Sequence, residues 1–206
     1  MNKPTFPRLA AACGVLFAVG LTAANGSGNQ PFWGVRAIAG IAALTLILPF
    51  FSYLCSLLRE AEGEDGWLAN TALAAGITFL VLKLGSGAPE LAVRTAHLAA
   101  GNQLATSIDG IANAATLLSL YPLALFCAAT AIVAFRARVL PRWLSAGAAI
   151  TAVALAINGG FLSSDSVPAM LLFVLWTLLT SVLLLRRSWR RPAHAIQAEA
   201  KAAAGV

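Results

Sequence analysis

The chain has 206 residues, enough for one ordinary domain, but its composition is not that of a water-soluble protein. Hydrophobic residues make up 59% and charged residues 11%, and the mean hydropathy is +0.81, whereas soluble domains carry about 25% charged residues. The formal net charge is +6, yet the charges cluster at the ends of apolar runs. That distribution excludes nucleic acid as a partner and predicts a protein that buries its surface in a lipid bilayer.

Six apolar runs follow one another along the chain. A helix needs about 20 mostly apolar residues to cross a hydrocarbon core of about 30 Å. The sequence therefore predicts an all-α fold, a polytopic membrane helical bundle of about six transmembrane helices. We assign residues 1–191 to this domain and 192–206 to a flexible cytoplasmic tail. The predicted spans are 9–24, 37–58, 67–84, 110–134, 144–162 and 168–185.

The first run is the shortest and has two interpretations. Its basic start, MNKPTFPR, followed by an apolar stretch, is typical of a secretory signal peptide. Small residues recur within it at four-residue spacing, however, and such lines let helix backbones approach closely. We therefore interpret the run as a retained helix. The line consists of Ala10, Gly14, Ala18 and Thr22, and the fifth run carries a similar one at Ala148, Ala152, Ala156 and Gly160.

The distribution of Lys and Arg predicts the orientation. With the N-terminus inside, eleven of these residues lie on the inner side, and only Arg36, Lys83 and Arg94 lie on the outer side. Both termini are therefore expected in the cytoplasm, in a multi-pass protein of the plasma (inner) membrane. Four arginines after the last run, Arg186, Arg187, Arg190 and Arg191, are interpreted either as a stop-transfer anchor or as a binding site for anionic lipid.

The three cysteines, Cys13, Cys55 and Cys127, each lie inside an apolar run. None has a cysteine or histidine partner at metal-ligand spacing. The sequence predicts neither a metal site nor a disulfide, and no cofactor.

The second and fourth runs resemble each other. ILPFFSYLC and SLYPLALFC each place a proline near the middle of the run and a cysteine five or six residues later. Each run is followed by a charged loop and then by Trp-Leu, at Trp67 and at Trp143. An internal duplication and a chance match are both open.

Most polar side chains of the predicted bundle lie at its outer end. Glu90, Arg94 and His97 stand at helical steps of four and three, so that in a helix they share a face. One interpretation is a short amphipathic helix on the outer surface, whose charges serve solubility. The other turns the face over the bundle, where Glu90, His97 and Asp109 act as acid–base catalysts. The ligand-binding residues of that pocket are predicted to be Arg94, Asn113, Asn158 and Asn25.

Three functions remain open. The first is a non-enzymatic integral membrane protein that binds a small lipophilic molecule or packs against a membrane partner. The second is a membrane-embedded acid–base enzyme, an isomerase or cyclase acting on a lipophilic or prenylated substrate in the outer leaflet. The third is a transporter, which ranks last because the predicted spans carry no ionisable side chain near mid-membrane. The first class is favoured because the chain contains no recognised catalytic motif.

Four segments carry a resemblance to a known group of proteins. They are GVLFAVG, LLREAEGEDGWL, RVLPRWLSAGAAI and the arginine-rich end of the last run. Together they resemble the uncharacterised small six-span integral membrane proteins of high-GC, actinobacterial-type bacteria. The resemblance implies a six-span topology and assigns no catalytic residue.

Overall fold

The computed structural model describes residues 5–26, 33–63, 66–95, 103–160 and 167–203. These residues form helices and connecting turns and contain no strand, so the all-α prediction is confirmed. The helices are α1 (Thr5–Gly26), α2 (Trp33–Glu62), α3 (Trp67–Thr95), α4 (Gln103–Ala137), α5 (Arg142–Gly160) and α6 (Val167–Ala203).

The described helices α2 to α6 are long and apolar enough to cross a membrane. The apolar part of α1, Arg8–Thr22, is shorter. Length and composition thus define a polytopic helical membrane protein. The spanning segments are Ile38–Glu62, Trp67–Pro89, Gln103–Ala137, Arg142–Gly160 and Pro168–Arg187.

Several helices extend beyond the apolar runs that predict them. α4 begins at Gln103, seven residues before the run, and α3 continues to Thr95. α6 continues to Ala203, so residues 192–203, which the sequence predicts as a tail, are helical. The 35 residues of α4 correspond to about 52 Å at 1.5 Å per residue, well above the ~30 Å of a hydrocarbon core.

The helices pack in chain order around a closed ring. Each helix contacts the next one along the chain, α6 contacts α1, and α2 also contacts α4 across the ring. Short connections between antiparallel helices explain this order. The ring places α4 between α2, α3 and α5.

Aromatic side chains fill the centre of the ring. Phe51 of α2 and Phe126 of α4 are the closest pair, with ring centroids 4.3 Å apart. Phe173 of α6 packs edge-on against rings of both α1 and α3. These contacts join five of the six helices through one aromatic layer, which consists of Phe17, Phe50, Phe51, Phe79, Phe126, Phe173 and Trp176.

The small residues of α1 lie on its buried face, as predicted. Ala10, Gly14 and Ala18 are buried, whereas Thr22 is exposed and its hydroxyl donates to the carbonyl of Ala18 at 2.9 Å. A Cβ on Gly14 would overlap Ser181 Oγ of α6, so the α1 backbone touches that helix directly.

The similar line of small residues in α5 is only half buried. Ala148 and Ala152 are buried, but Ala156 and Gly160 are exposed. Four residues correspond to about 400° of rotation, so a four-residue line turns about 40° further at each step. After two steps the line has therefore left the face that contacts the bundle.

The predicted repeat is visible in the burial of α3 and α5. Trp67 and Trp143 are exposed at the start of the two helices, and Leu68 and Leu144 are buried directly after them. The same offset of 76 residues relates the next buried positions, Ala72 to Ala148 and Phe79 to Leu155. The two helices therefore present equivalent faces to the bundle, which favours an internal duplication.

Candidate functional site

The predicted outer cluster does not form a separate surface helix over residues 89–95. α3 continues through Pro89 to Thr95, which places Glu90 and Arg94 in its last two turns. The expectation of a distinct amphipathic helix is wrong over these residues. A proline removes only one backbone hydrogen bond, and membrane helices tolerate that loss, so α3 does not end at Pro89. His97 and the side chains of Glu90 and Arg94 lie outside the described residues.

The register of α3 and α4 brings two predicted residues to one level. Lys83 Nζ donates a hydrogen bond to Thr116 Oγ1 at 3.3 Å. The helices are antiparallel, so seven residues further along α3 correspond to seven residues earlier along α4. Glu90 and Asp109 therefore lie within about one helical turn of the same height along the hairpin.

Asp109, predicted to be catalytic, and the side chains that were predicted to bind a ligand occupy different levels. Asp109 and Asn113 are exposed on α4. Asn158 of α5 is half-buried, and its neighbour Gly159 lies against Tyr121 and Leu117 of α4. Leu117 is eight residues from Asp109, about 12 Å along the helix.

Asn25 lies in the last turn of α1, and its side chain is outside the described set. Along the helix axes, Glu90 and Asp109 therefore lie at a similar height, and Asn158 lies well toward the predicted inner end from both. The acid–base and ligand-binding roles stay predictions.

The arginines after the last span begin at the end of the bundle that the sequence predicts to be the inner one. Arg186 and Arg187 are exposed, and Arg187 Nη1 donates to the carbonyl of Val139 at 2.7 Å. This bond ties α6 to the turn between α4 and α5. Arg190 and Arg191 lie further along α6, and their side chains are not among those described.

The interior contains two kinds of buried hydroxyl group. In the first kind the hydroxyl donates to a carbonyl three or four residues earlier, the usual arrangement in an apolar helix. The second kind has no hydrogen-bond partner within the described part of the chain. The first group is Ser86, Ser119, Ser145 and Thr151; the second is Thr130, Thr177, Thr180 and Ser181, each fully buried.

Helix register places the second group next to the aromatic layer, on the side toward the predicted inner end. Phe126 of α4 packs against Trp176 of α6, and these helices run in the same direction. Thr130 follows Phe126 by one turn on the same face of α4, and Thr180 follows Trp176 by one turn on the same face of α6, both toward the predicted inner end. Thr177 stands one turn after Phe173 in the same way.

Buried leucines follow the hydroxyl layer toward the inner end. Leu184 comes one turn after Thr180, and Leu58, Leu140 and Leu144 are buried in α2, the α4–α5 turn and α5. A polar layer is thus enclosed between aromatic and aliphatic side chains. We call Thr130, Thr177, Thr180 and Ser181 the hydroxyl layer.

Sequence reasoning missed the hydroxyl layer because it looked for ionisable groups at mid-membrane. The available signal was the segment WTLLTS, in which Thr177, Thr180 and Ser181 stand at i, i+3 and i+4 and so share a face. Hydroxyl residues on that spacing are common in membrane helices. Only the lack of a hydrogen bond to the backbone in the fold distinguishes these three.

A line of large apolar side chains stays exposed along α4. α4 is the most deeply buried of the spanning helices, yet five positions at seven-residue spacing keep 42–62% of their surface exposed. A second line of exposed or half-buried residues stands three positions later. We call both lines the α4 seam: Leu104, Ile111, Leu118, Leu125 and Ile132, with Ser107, Ala114, Tyr121, Ala128 and Phe135.

No grouping of three or more His, Cys, Asp or Glu side chains within the described residues is arranged to hold a metal ion. The three cysteines are free thiols, and Cys55 and Cys127 are buried in the core. No protein-family model, curated protein or solved structure matches the chain. Fold and composition thus define its class, a polytopic helical membrane protein.

Proposed function

We propose that the protein is a non-enzymatic component of the plasma membrane that packs against a partner helix through the α4 seam. The partner is a second copy of the chain. In this proposal all six helices cross the bilayer and both termini face the cytoplasm. The first function class predicted from the sequence includes such an assembly.

The length of the α4 seam is the observation that carries the proposal. From Leu104 to Ile132 the seam extends about 42 Å, more than the ~30 Å hydrocarbon core. Lipid chains can cover only part of such a line. Large apolar side chains that continue beyond the lipid are typical of a surface that another protein covers.

The seven-residue spacing supports a second copy as the partner. Apolar residues at heptad positions a and d keep two helices in contact when both supercoil to 3.5 residues per turn. Copies in one membrane share one orientation, so their α4 helices are parallel and the same residues face each other across a two-fold axis. The alanines on the second line, Ala114 and Ala128, favour close approach of the backbones.

The sequence also predicts two lipid-soluble partners, and both remain compatible with this assembly. The four arginines at the inner end of α6 favour attraction of anionic lipid, at about 1 kcal/mol per charge. A small lipophilic molecule would need a cavity in the bundle, and the aromatic layer occupies its centre. Because that packing fills the centre of the bundle, a small lipophilic ligand is less favoured as a partner than a second protein chain.

Cysteine cross-linking in membranes tests the proposal. Cys13, Cys55 and Cys127 are first replaced by alanine, and Leu104, Ile111, Leu118, Leu125 and Ile132 are then changed to cysteine one at a time. Mild oxidation should give a covalent dimer at these positions, with efficiency falling at positions one or two residues away. Ile150→Cys on α5 and Leu175→Cys on α6 are matched controls, because both side chains are exposed to a similar extent.

Equal cross-linking at the seam and at the controls would show random collision and would contradict the proposal. Adducts of the seam with a different membrane protein would contradict the second copy while keeping the seam as an interface.

A further inference from the structure

We infer that the hydroxyl layer is a binding site for ordered water in the membrane interior. Thr130, Thr177 and Thr180 are fully buried, and their hydroxyls lack a partner within the described part of the chain. Buried polar groups in folded proteins are nearly always hydrogen-bonded to protein or to water. Because these hydroxyls make no hydrogen bond within the described part of the protein, a bound molecule satisfies them.

The chemistry of the layer selects the ligand. The layer contains hydroxyls alone, which both donate and accept hydrogen bonds, and the buried polar residues described for the bundle are all serines and threonines, none of them charged. A charged ligand would therefore have no counter-charge and would be strongly disfavoured in this apolar surrounding. An uncharged molecule with both donors and acceptors fits, and internal water typically binds two to four such groups.

The neighbouring layers explain why the site is enclosed. On α6 the aromatic Trp176 precedes the hydroxyls toward the outer end, and the buried Leu184 follows them toward the inner end. On the α1 side, Ser181 Oγ lies against the backbone at Gly14 and beside Phe50. Water held there exchanges slowly with bulk solvent, and it gives the bundle a polar centre without an ionisable group.

Thr151 provides a control within the same protein. It is as fully buried as Thr177, but its hydroxyl donates to the carbonyl of Gly147 at 2.7 Å and needs no other partner. A threonine of this kind should be dry. The comparison between Thr151 and the hydroxyl layer separates hydration from simple burial.

The test measures transfer of magnetisation from water to threonine methyl groups by NMR. The full-length protein is labelled on its threonine methyls and placed in lipid nanodiscs, and conservative Thr→Ser changes assign the signals. We expect transfer to Thr130, Thr177 and Thr180 to build up several times faster than transfer to Thr151. Equal, slow build-up at all four threonines would overturn the inference, as would transfer from lipid protons in place of water.

A double variant gives a second measurement. Thr177→Val with Thr180→Val removes two of the hydroxyls while keeping the size of the side chains, and should abolish water transfer to Thr130. The change Thr151→Val, as control, should leave it unaltered. Undiminished transfer to Thr130 in the double variant would contradict a shared site, and the wild-type measurement stands even where the variant folds poorly.

Discussion

Gly76 lies at a point where three helices of the bundle pack closely together. A Cβ at this position of α3 would lie 2.7 Å from Cδ2 of Phe51 and 3.4 Å from Cδ2 of Phe126. Both rings are fully buried and pack against each other at an interplanar angle of 39°. Neither can move away without opening the aromatic layer, so the absence of a side chain at residue 76 is a packing requirement.

We predict that Gly76→Ala destabilises the bundle by about 1–3 kcal/mol, the usual cost of overpacking a core. Thermal unfolding in detergent, followed by near-UV circular dichroism, measures the change. Gly85→Ala in the same helix is the control, because a Cβ there meets no atom within 4 Å. The control should be neutral or slightly stabilising, since alanine favours a helix over glycine. Equal effects of the two substitutions would argue against the packing explanation.

The sequence predicted part of the packing at the scale of single residues. Four-residue spacing identified the buried line Ala10, Gly14 and Ala18, because small residues can lie where backbones touch. It could not identify Gly76, whose partners Phe51 and Phe126 come from two other helices. The unpartnered hydroxyl of Thr177 was equally hidden, because residue type alone does not tell whether a threonine bonds its own helix.

The turn between α2 and α3 depends on one carboxylate. Glu62, at the end of α2, accepts hydrogen bonds from the backbone amides of Leu68 at 3.1 Å and Ala69 at 3.0 Å. These amides lie in the first turn of α3, where no carbonyl of the helix can accept them. Gly66 precedes that turn with φ +47° and offers no side-chain oxygen. Glu62 therefore performs the capping that a residue at the start of α3 would ordinarily provide.

We predict that Glu62→Ala lowers the free energy of unfolding by about 0.5–2 kcal/mol, the range for loss of a helix cap. Glu62→Gln keeps one acceptor oxygen and should lose less. Hydrogen exchange at Leu68 and Ala69 measures the local effect. The matched control is Glu60→Ala, because Glu60 is an exposed carboxylate two residues earlier in the same helix. Exchange that is equally fast in both alanine variants would refute the role of Glu62.

Helices were predicted more reliably than their ends. All six apolar runs correspond to helices, because hydropathy reports directly which segments leave water. The end of α3 and the start of α4 were missed because residues 85–95 and 103–109 are mostly polar or small and still helical. Hydropathy cannot register a helix that continues into water, so the alignment of Glu90 with Asp109 emerged only from the fold.

At the scale of the whole molecule, one end of the bundle gathers the positive charge. The turns after α2 and α4 and the end of α6 lie at this end, where Arg187 joins the α4–α5 turn. Eleven of the 14 Lys and Arg residues fall on this side when α1 crosses the membrane. From the excess of Lys and Arg at this end we predict that it faces the cytoplasm.

The number of crossings decides where the N-terminus lies. The apolar part of α1, Arg8–Thr22, is about 22 Å long, shorter than the hydrocarbon core, and it crosses only if the bilayer thins or its flanking residues reach the interface. Its buried line of small residues holds it against α2 and α6, so we predict a full crossing.

An even number of spans puts both termini on one side. Alkaline phosphatase fused to either terminus should then be inactive and a fluorescent-protein fusion bright, with a tag in the α2–α3 turn as the cytoplasmic reference. Phosphatase activity at the N-terminus alone would mean five crossings, and activity at the C-terminus would reverse the orientation.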